Sequence, residues 1–196
     1  LRRKHPGAPV VTYVNTSADV KAESDICCTS ANAVQVVESL GVAEVIFIPD
    51  KFLGQYVASK TGVRLILWEG ACEVHERFSG LELRDFRGMH PGIHVMAHPE
   101  CPPDVLAEAD FVGSTSAMIE HVGKVHPRQV AMITECAMAG NVAVAFPDVE
   151  FIQPCNLCPH MQRITLPKIL QSLETMSPAI DVPTDVARRA RANLER

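Results

Sequence analysis

The stretch Glu44-Val-Ile-Phe-Ile-Pro49 is an apolar run rich in β-branched residues and closed by proline, and 85 residues further on Gln129-Val-Ala-Met-Ile-Thr134 holds the equivalent place. Short apolar runs bounded by turn residues read as strands buried on both faces of a sheet. Working outward, the same reading applies to Pro9–Val14, Arg64–Trp68, Gly92–Ala97 and Val149–Ile152. Helical patterns lie between them. Ser30–Leu40 carries Val34, Val37 and Leu40 on one face, with Ser30 as the expected N-cap and Gly41 as the stop. Ser116–Val122 repeats that picture with Gly123 as the stop. Alternation of strand and helix predicts an α/β fold with small parallel sheets in three-layer units.

The offset of 85 residues aligns further landmarks. Tyr13-Val-Asn15 falls on His98-Pro-Glu100, and Asp25-Ile-Cys-Cys-Thr-Ser30 on Asp110-Phe-Val-Gly-Ser-Thr115. Cys72 and Cys158 are 86 residues apart, each just beyond the strand that ends a copy. An internal repeat of this length predicts two copies of one α/β unit, pseudo-symmetric, spanning 1–72 and 73–158. The segment Glu76–Pro91 is expected to hold an irregular helix and a turn. A helical tail, 159–196, follows, with helices over Leu166–Met176 and Asp185–Arg196.

Composition narrows the function. The chain has 196 residues, 47% hydrophobic and 21% charged, with a net charge of -5. A mildly acidic chain is a poor binder of nucleic acid, whose phosphates demand a basic surface. No apolar run approaches the roughly 18 residues that cross a bilayer, so no membrane partner is expected. Seven cysteines are too sparse and too odd in number for a disulfide scaffold, which points to a reducing, cytoplasmic setting and to thiols that pack or bind metal. Cys27, Cys28, Cys101 and Cys136 read as small packed residues. Cys155-x-x-Cys158 followed by proline is compatible with an iron–sulfur or zinc ligand or a redox pair.

Ligands of parallel α/β layers bind beyond the carboxyl ends of the strands. The repeat sets polar groups there twice, Tyr13 with Asn15 and His98 with Glu100, and hydroxyls at a helix start twice, Thr29-Ser30 and Ser114-Thr115-Ser116. Such hydroxyls are either plain N-caps or anion seats, and their recurrence favours phosphate or carboxylate binding. One cysteine per repeat suggests thiolates gathered about an axis. A third repeat before Leu1 would complete three thiolates and leave one iron of a four-iron cluster open as a Lewis acid. Two other function classes fit the residues: a non-catalytic small-anion-binding α/β module with buried thiols, and a zinc hydrolase built on Cys158, His160 and a carboxylate.

Seven motifs in order, Tyr13-Val-Asn-Thr-Ser17, Cys28-Thr-Ser-Ala-Asn32, Pro49-Asp-Lys-Phe-Leu-Gly54, Trp68-Glu-Gly-Ala-Cys-Glu-Val-His75, His98-Pro-Glu100, Gly113-Ser-Thr-Ser116 and Cys158-Pro-His-Met161, resemble quinolinate synthase, the iron–sulfur enzyme of NAD biosynthesis. The resemblance implies three similar α/β domains about a pseudo-threefold axis with a [4Fe–4S] cluster at their junction. It implies condensation of iminoaspartate with dihydroxyacetone phosphate to quinolinate, with release of phosphate and water. L-aspartate oxidase or aspartate dehydrogenase would supply the iminoaspartate. By position, Cys72 and Cys158 match two cluster ligands. Tyr13 and Asn15 match substrate-binding residues, with Tyr13 also placed to shuttle protons. Ser30 and Thr115 match hydroxyls that contact carboxylate or phosphate. His98 and Glu100 match the catalytic His and carboxylate, Glu100 as base, and His75 shares the pocket. Cys155 and Cys101 match no ligand. The family's first domain supplies the third cysteine, a His and a Tyr, none of which is found here. The chain also lacks an initiator Met, so it is expected to be a C-terminal piece, inactive alone.

Overall fold

The computed structural model describes residues 1–152, 154 and 156–196. Val10–Tyr13 (β1), Ile26–Cys28 (β2), Glu44–Ile48 (β3) and Arg64–Leu67 (β4) form one sheet, and His94–Ala97 (β5), Phe111–Val112 (β6), Gln129–Ile133 (β7) and Glu150–Phe151 (β8) form another. Both are four-stranded and wholly parallel, with the strand orders β2-β1-β3-β4 and β6-β5-β7-β8. The α/β fold read from the sequence is present, and the two sheets share one topology.

Helices fill the crossovers: Ala18–Ala22 (α1), Ala33–Ser39 (α2) and Lys51–Lys60 (α3) in the first unit, Pro103–Ala107 (α5), Thr115–Val125 (α6) and Cys136–Ala145 (α7) in the second. The starts of α1, β2, β3 and α3 recur in the second unit at an offset of 85 residues, and those of β1, α2 and β4 within three residues of it. Gly80–Met89 (α4), preceded by a 3-10 turn at His75–Arg77, links the units. Leu166–Thr175 (α8) and Thr184–Leu194 (α9) close the chain.

The strand pleat explains the layers. On the first sheet Val11, Tyr13, Val45 and Phe47 point to one face, where Ala33 and Val37 of α2 and Leu53 and Val57 of α3 cover them. These helix pairs lie four residues apart and so share a face. Val10 and Ile46 point to the opposite face, beside Ile48 and Ile66. In the second unit Met96, Val130 and Met132 pack under Met118, Val122, Ala139 and Val142, while Val95, Ala97 and Ile133 pack under Leu83 and Val105. The tail returns to the first unit, where Asn193 of α9 donates to the carbonyls of Lys21 and Ser24 and Arg189 bonds Glu23. Among the described residues no helix is long and apolar enough to cross a membrane.

Two helix boundaries differ by three residues from the sequence reading. Ser30 is not the N-cap of α2. Asn32 Oδ1 accepts from the backbone and hydroxyl of Thr29, closing a turn that delays the helix to Ala33 and frees the Ser30 side chain. Gly123 does not stop α6 either. The helix runs through it to Val125 and ends at His126, whose φ is +49°. Gly123 instead makes room for Phe146, whose ring would lie 3.4 Å from an added Cβ. Gly41, with φ +62°, does end α2.

A clamp repeats with the fold. Asp25 accepts from Val10 N and from Arg2, and Asp110 accepts from Val95 N and from Arg87. The burial of Asp110 works against its charged form, but Arg87 and the Val95 N–H outweigh it and hold the carboxyl below the usual range. A depressed carboxyl stabilises the fold at neutral pH, and that contribution is lost as pH falls through the folded-state value. We expect Asp110→Asn to lower stability of the complete protein by about 1–2 kcal/mol at pH 7. In urea titrations the gap to wild type should close below about pH 4.

Candidate functional site

The carboxyl ends of the two sheets face one another, and a cavity of about 510 Å³ lies between them. Tyr13, Asn15, Pro49, Asp50 and the Gly70–Val74 loop line it from the first unit, and Glu100, Cys158 and His160 from the second. Among the described residues, polar contacts cross the junction or reach it from the linking turn. His98 Nε2 lies 3.2 Å from Ser30 Oγ, and His75 Nε2 3.0 Å from Thr134 Oγ1. Asn156 Nδ2 donates to the Val74 carbonyl at 3.3 Å, and His160 Nε2 lies 2.8 Å from Glu73 Oε1. The loops that carry Cys72 and Cys158 are therefore tied to each other.

Glu100 sits at the centre of a buried polar chain. Its Oε2 is 3.1 Å from His98 Nδ1 and 3.6 Å from His75 Nδ1, and the two imidazoles stack with centroids 4.8 Å apart. His98 Nε2 faces the Ser30 hydroxyl, while its Nδ1 accepts from the Glu100 backbone N–H at 3.4 Å, and the Ser30 hydroxyl also acts on the Tyr13 phenol. Tyr13, Ser30, His98 and Glu100 thus lie one beside the next. Burial, and next the Glu100 charge, push the Tyr13 phenol far above its ordinary range, so it stays protonated at neutral pH. Burial and the neighbouring His98 lower His75 to about 4 against the opposing pull of Glu100, so this imidazole is neutral. Its Nδ1 is buried without a hydrogen-bond partner among the described residues. Asn15 lines the cavity beside Tyr13. Thr115 opens α6 at the surface and is not among the described lining residues.

Cys72 and Cys158 are free and half-buried. Burial raises the Cys72 thiol above its ordinary value, ahead of the smaller effects of loop N–H groups and nearby carboxylates. Cys158 is free, and Cys155 lies outside the described residues. Cys27, Cys28 and Cys101 are buried, as packed small residues should be. Cys136 departs from that reading, because it is disulfide-bonded. Two half-buried thiols on one cavity suit a soft metal centre, and thiolates are the ordinary ligands of iron–sulfur clusters. Cys72, His75 and Glu100 also bring one donor atom each within 4.8 Å of one another. Among the described residues, Cys158 and His160 are not in the group of donor atoms gathered to that distance.

Sequence reading passed over Thr134, Asp50 and Glu135. Asp50 and Glu135 cap α3 and α7, each immediately beyond the aligned runs Glu44–Pro49 and Gln129–Thr134. Carrying the 85-residue alignment one position further pairs the two carboxylates, which is the signal that could have found them. Gly70 is also required here, because a Cβ at this position would stand 2.6 Å from the Pro49 carbonyl oxygen. Backbone cannot yield as a side-chain tip does. Gly70→Ala should therefore displace the Cys72 loop and cost about 1–3 kcal/mol, read as a lower midpoint in thermal or urea unfolding of the complete protein.

Comparison with known proteins agrees with this geometry. The family described as "Quinolinate synthetase A protein" matches residues 1–196. The chain is 57% identical to quinolinate synthase 2 of Mesorhizobium japonicum, covering all of this chain and 60% of the relative. It is 57% identical to the quinolinate synthase of Agrobacterium fabrum, covering 57% of that protein, and 56% identical to that of Xylella fastidiosa, covering 58%. In each case the chain spans less than two thirds of its relative's length.

Proposed function

The chain belongs to the Quinolinate synthetase A protein family, and from that premise we propose that it forms part of a quinolinate synthase, condensing iminoaspartate with dihydroxyacetone phosphate to quinolinate, with loss of phosphate and water. The observation that supports this most is the shared cavity: one free thiol from each repeat, Cys72 and Cys158, beside the buried Glu100. In this reading Cys72 and Cys158 hold a [4Fe–4S] cluster together with a cysteine from outside these residues. When bound, the cluster supplies an open iron that acts as a Lewis acid toward substrate oxygen or nitrogen.

The chain's own residues orient substrate and move protons. Glu100, as carboxylate, takes the proton released when the enamine forms, and His98 holds it in place through Nδ1. Tyr13, kept as a phenol by burial, donates a hydrogen bond to a substrate carboxylate or to a departing hydroxyl, and the Ser30–His98 link returns protons between it and Glu100. Neutral His75 packs behind the pocket, its ring stacked on His98 and its Nε2 beside Thr134. Asn15 supplies an amide for a carboxylate. Thr115 would contribute from the first turn of α6, whose N–H groups favour an anion. Because the pocket lies between two units, ordering both substrates there converts a two-molecule encounter into a positioned reaction. We place the enzyme in the cytoplasm, with L-aspartate oxidase or aspartate dehydrogenase supplying the unstable imine.

The test uses the complete protein prepared without oxygen. Cys158→Ala should abolish both the brown cluster absorbance and turnover. Glu100→Gln should retain the cluster absorbance and lower turnover by at least about 100-fold, the usual weight of a general base. Near-normal turnover in Glu100→Gln would refute the proton-transfer role, and an intact cluster in Cys158→Ala would refute the ligand assignment.

A further inference from the structure

Each cysteine loop is fastened to its own unit by one carboxylate that does two jobs. Asp50 Oδ1 accepts from Leu53 N at 2.7 Å, capping α3, while its Oδ2 accepts from Cys72 N at 2.9 Å. Glu135 Oε2 accepts from Ala137 N at 2.8 Å, capping α7, while its Oε1 accepts from Cys158 N at 3.3 Å. The surroundings repeat as well. Asp50 bridges to Gly70 and Glu135 to Asn156, and the residue after each carboxylate donates its N–H to the carbonyl of that same partner. Both carboxylates are buried, at 4% and 8% exposure. A plain N-cap needs one acceptor oxygen and gains nothing from a buried second one. A buried carboxylate is costly unless each oxygen is satisfied, so the second bond to the cysteine N–H is an integral part of both sites.

We propose that Asp50 and Glu135 are paired positioning residues that fix the backbone of Cys72 and Cys158 so that both sulfurs meet at one centre. This rests on the reading of those cysteines as cluster ligands. The helices α3 and α7 grow directly from the central strands β3 and β7, so the clasps transmit the rigidity of each sheet to its loop. Their different lengths match different cap geometry: the shorter Asp50 reaches the third helical N–H and the longer Glu135 the second. Neither carboxylate is assigned as a metal ligand or a proton carrier.

Asn and Gln separate the two jobs, because an amide has one acceptor oxygen where a carboxylate has two. Asn is also as good an N-cap as Asp. In the complete protein, Asp50→Asn and Glu135→Gln should fold with midpoints lowered by the loss of one buried hydrogen bond, and release iron to a chelator about tenfold faster, the usual effect of losing a group that orients a metal ligand. Amide hydrogen exchange over residues 69–75 should quicken in metal-free Asp50→Asn, and over the Cys158 loop in metal-free Glu135→Gln. Asp50→Glu, which copies the other unit, should restore slow release. Iron release and exchange at wild-type rates in both amide variants would overturn the positioning role while leaving the cluster reading intact. Wild-type protein that takes up no iron would overturn the cluster reading and the positioning role with it. If one amide variant fails to fold, the other unit's variant gives the same comparison.

Discussion

Two parallel sheets with the same strand order present their carboxyl ends to one junction, and every group with chemical capacity in this chain depends on that meeting. A parallel strand exposes its terminal side chains and the following loop at one edge of the layer. Here Tyr13 follows from β1, Cys72 from the loop after β4, His98 and Glu100 from the loop after β5, and Thr134 from the end of β7. The contact of Ser30 with His98 joins the first unit to the second, and that of His75 with Thr134 joins the linking turn to the second.

The electrostatics of the junction follow from burial more than from pairing. Tyr13 and Asp50 are pushed up and His75 down, with desolvation as the leading cause each time. The junction therefore sets a protonated phenol and a neutral imidazole beside the Glu100 side chain.

Much of this was legible in the residues. β3 and β7 begin and end where the apolar runs do, because five-residue runs between turn signals leave little freedom. β2 and β6, at three and two residues, are too short to show a pattern and were absorbed into the approach to the following helix. α7 was missed because its sequence, rich in Ala and Val, is apolar nearly all round and has no polar face to reveal a period. In the site, Tyr13, Cys72, Glu100 and Cys158 carry recognisable chemistry at recognisable spacing, and they do share one cavity. Ser30 is not the helix cap that its place before α2 suggested, and its hydroxyl contacts His98. Asp50 and Glu135 were passed over because a carboxylate that acts only through backbone N–H groups looks like any other helix start until the fold is seen.

The chain's part in catalysis turns on whether Cys72 and Cys158 hold the same metal centre. Anomalous diffraction at the iron edge, from crystals of the complete protein grown without oxygen, measures this directly. One compact group of iron peaks beside Glu100, with a different iron within bonding distance of each of the two Sγ atoms, is the expected result. Iron bonded to only one of the two sulfurs, or located away from the junction, would contradict it.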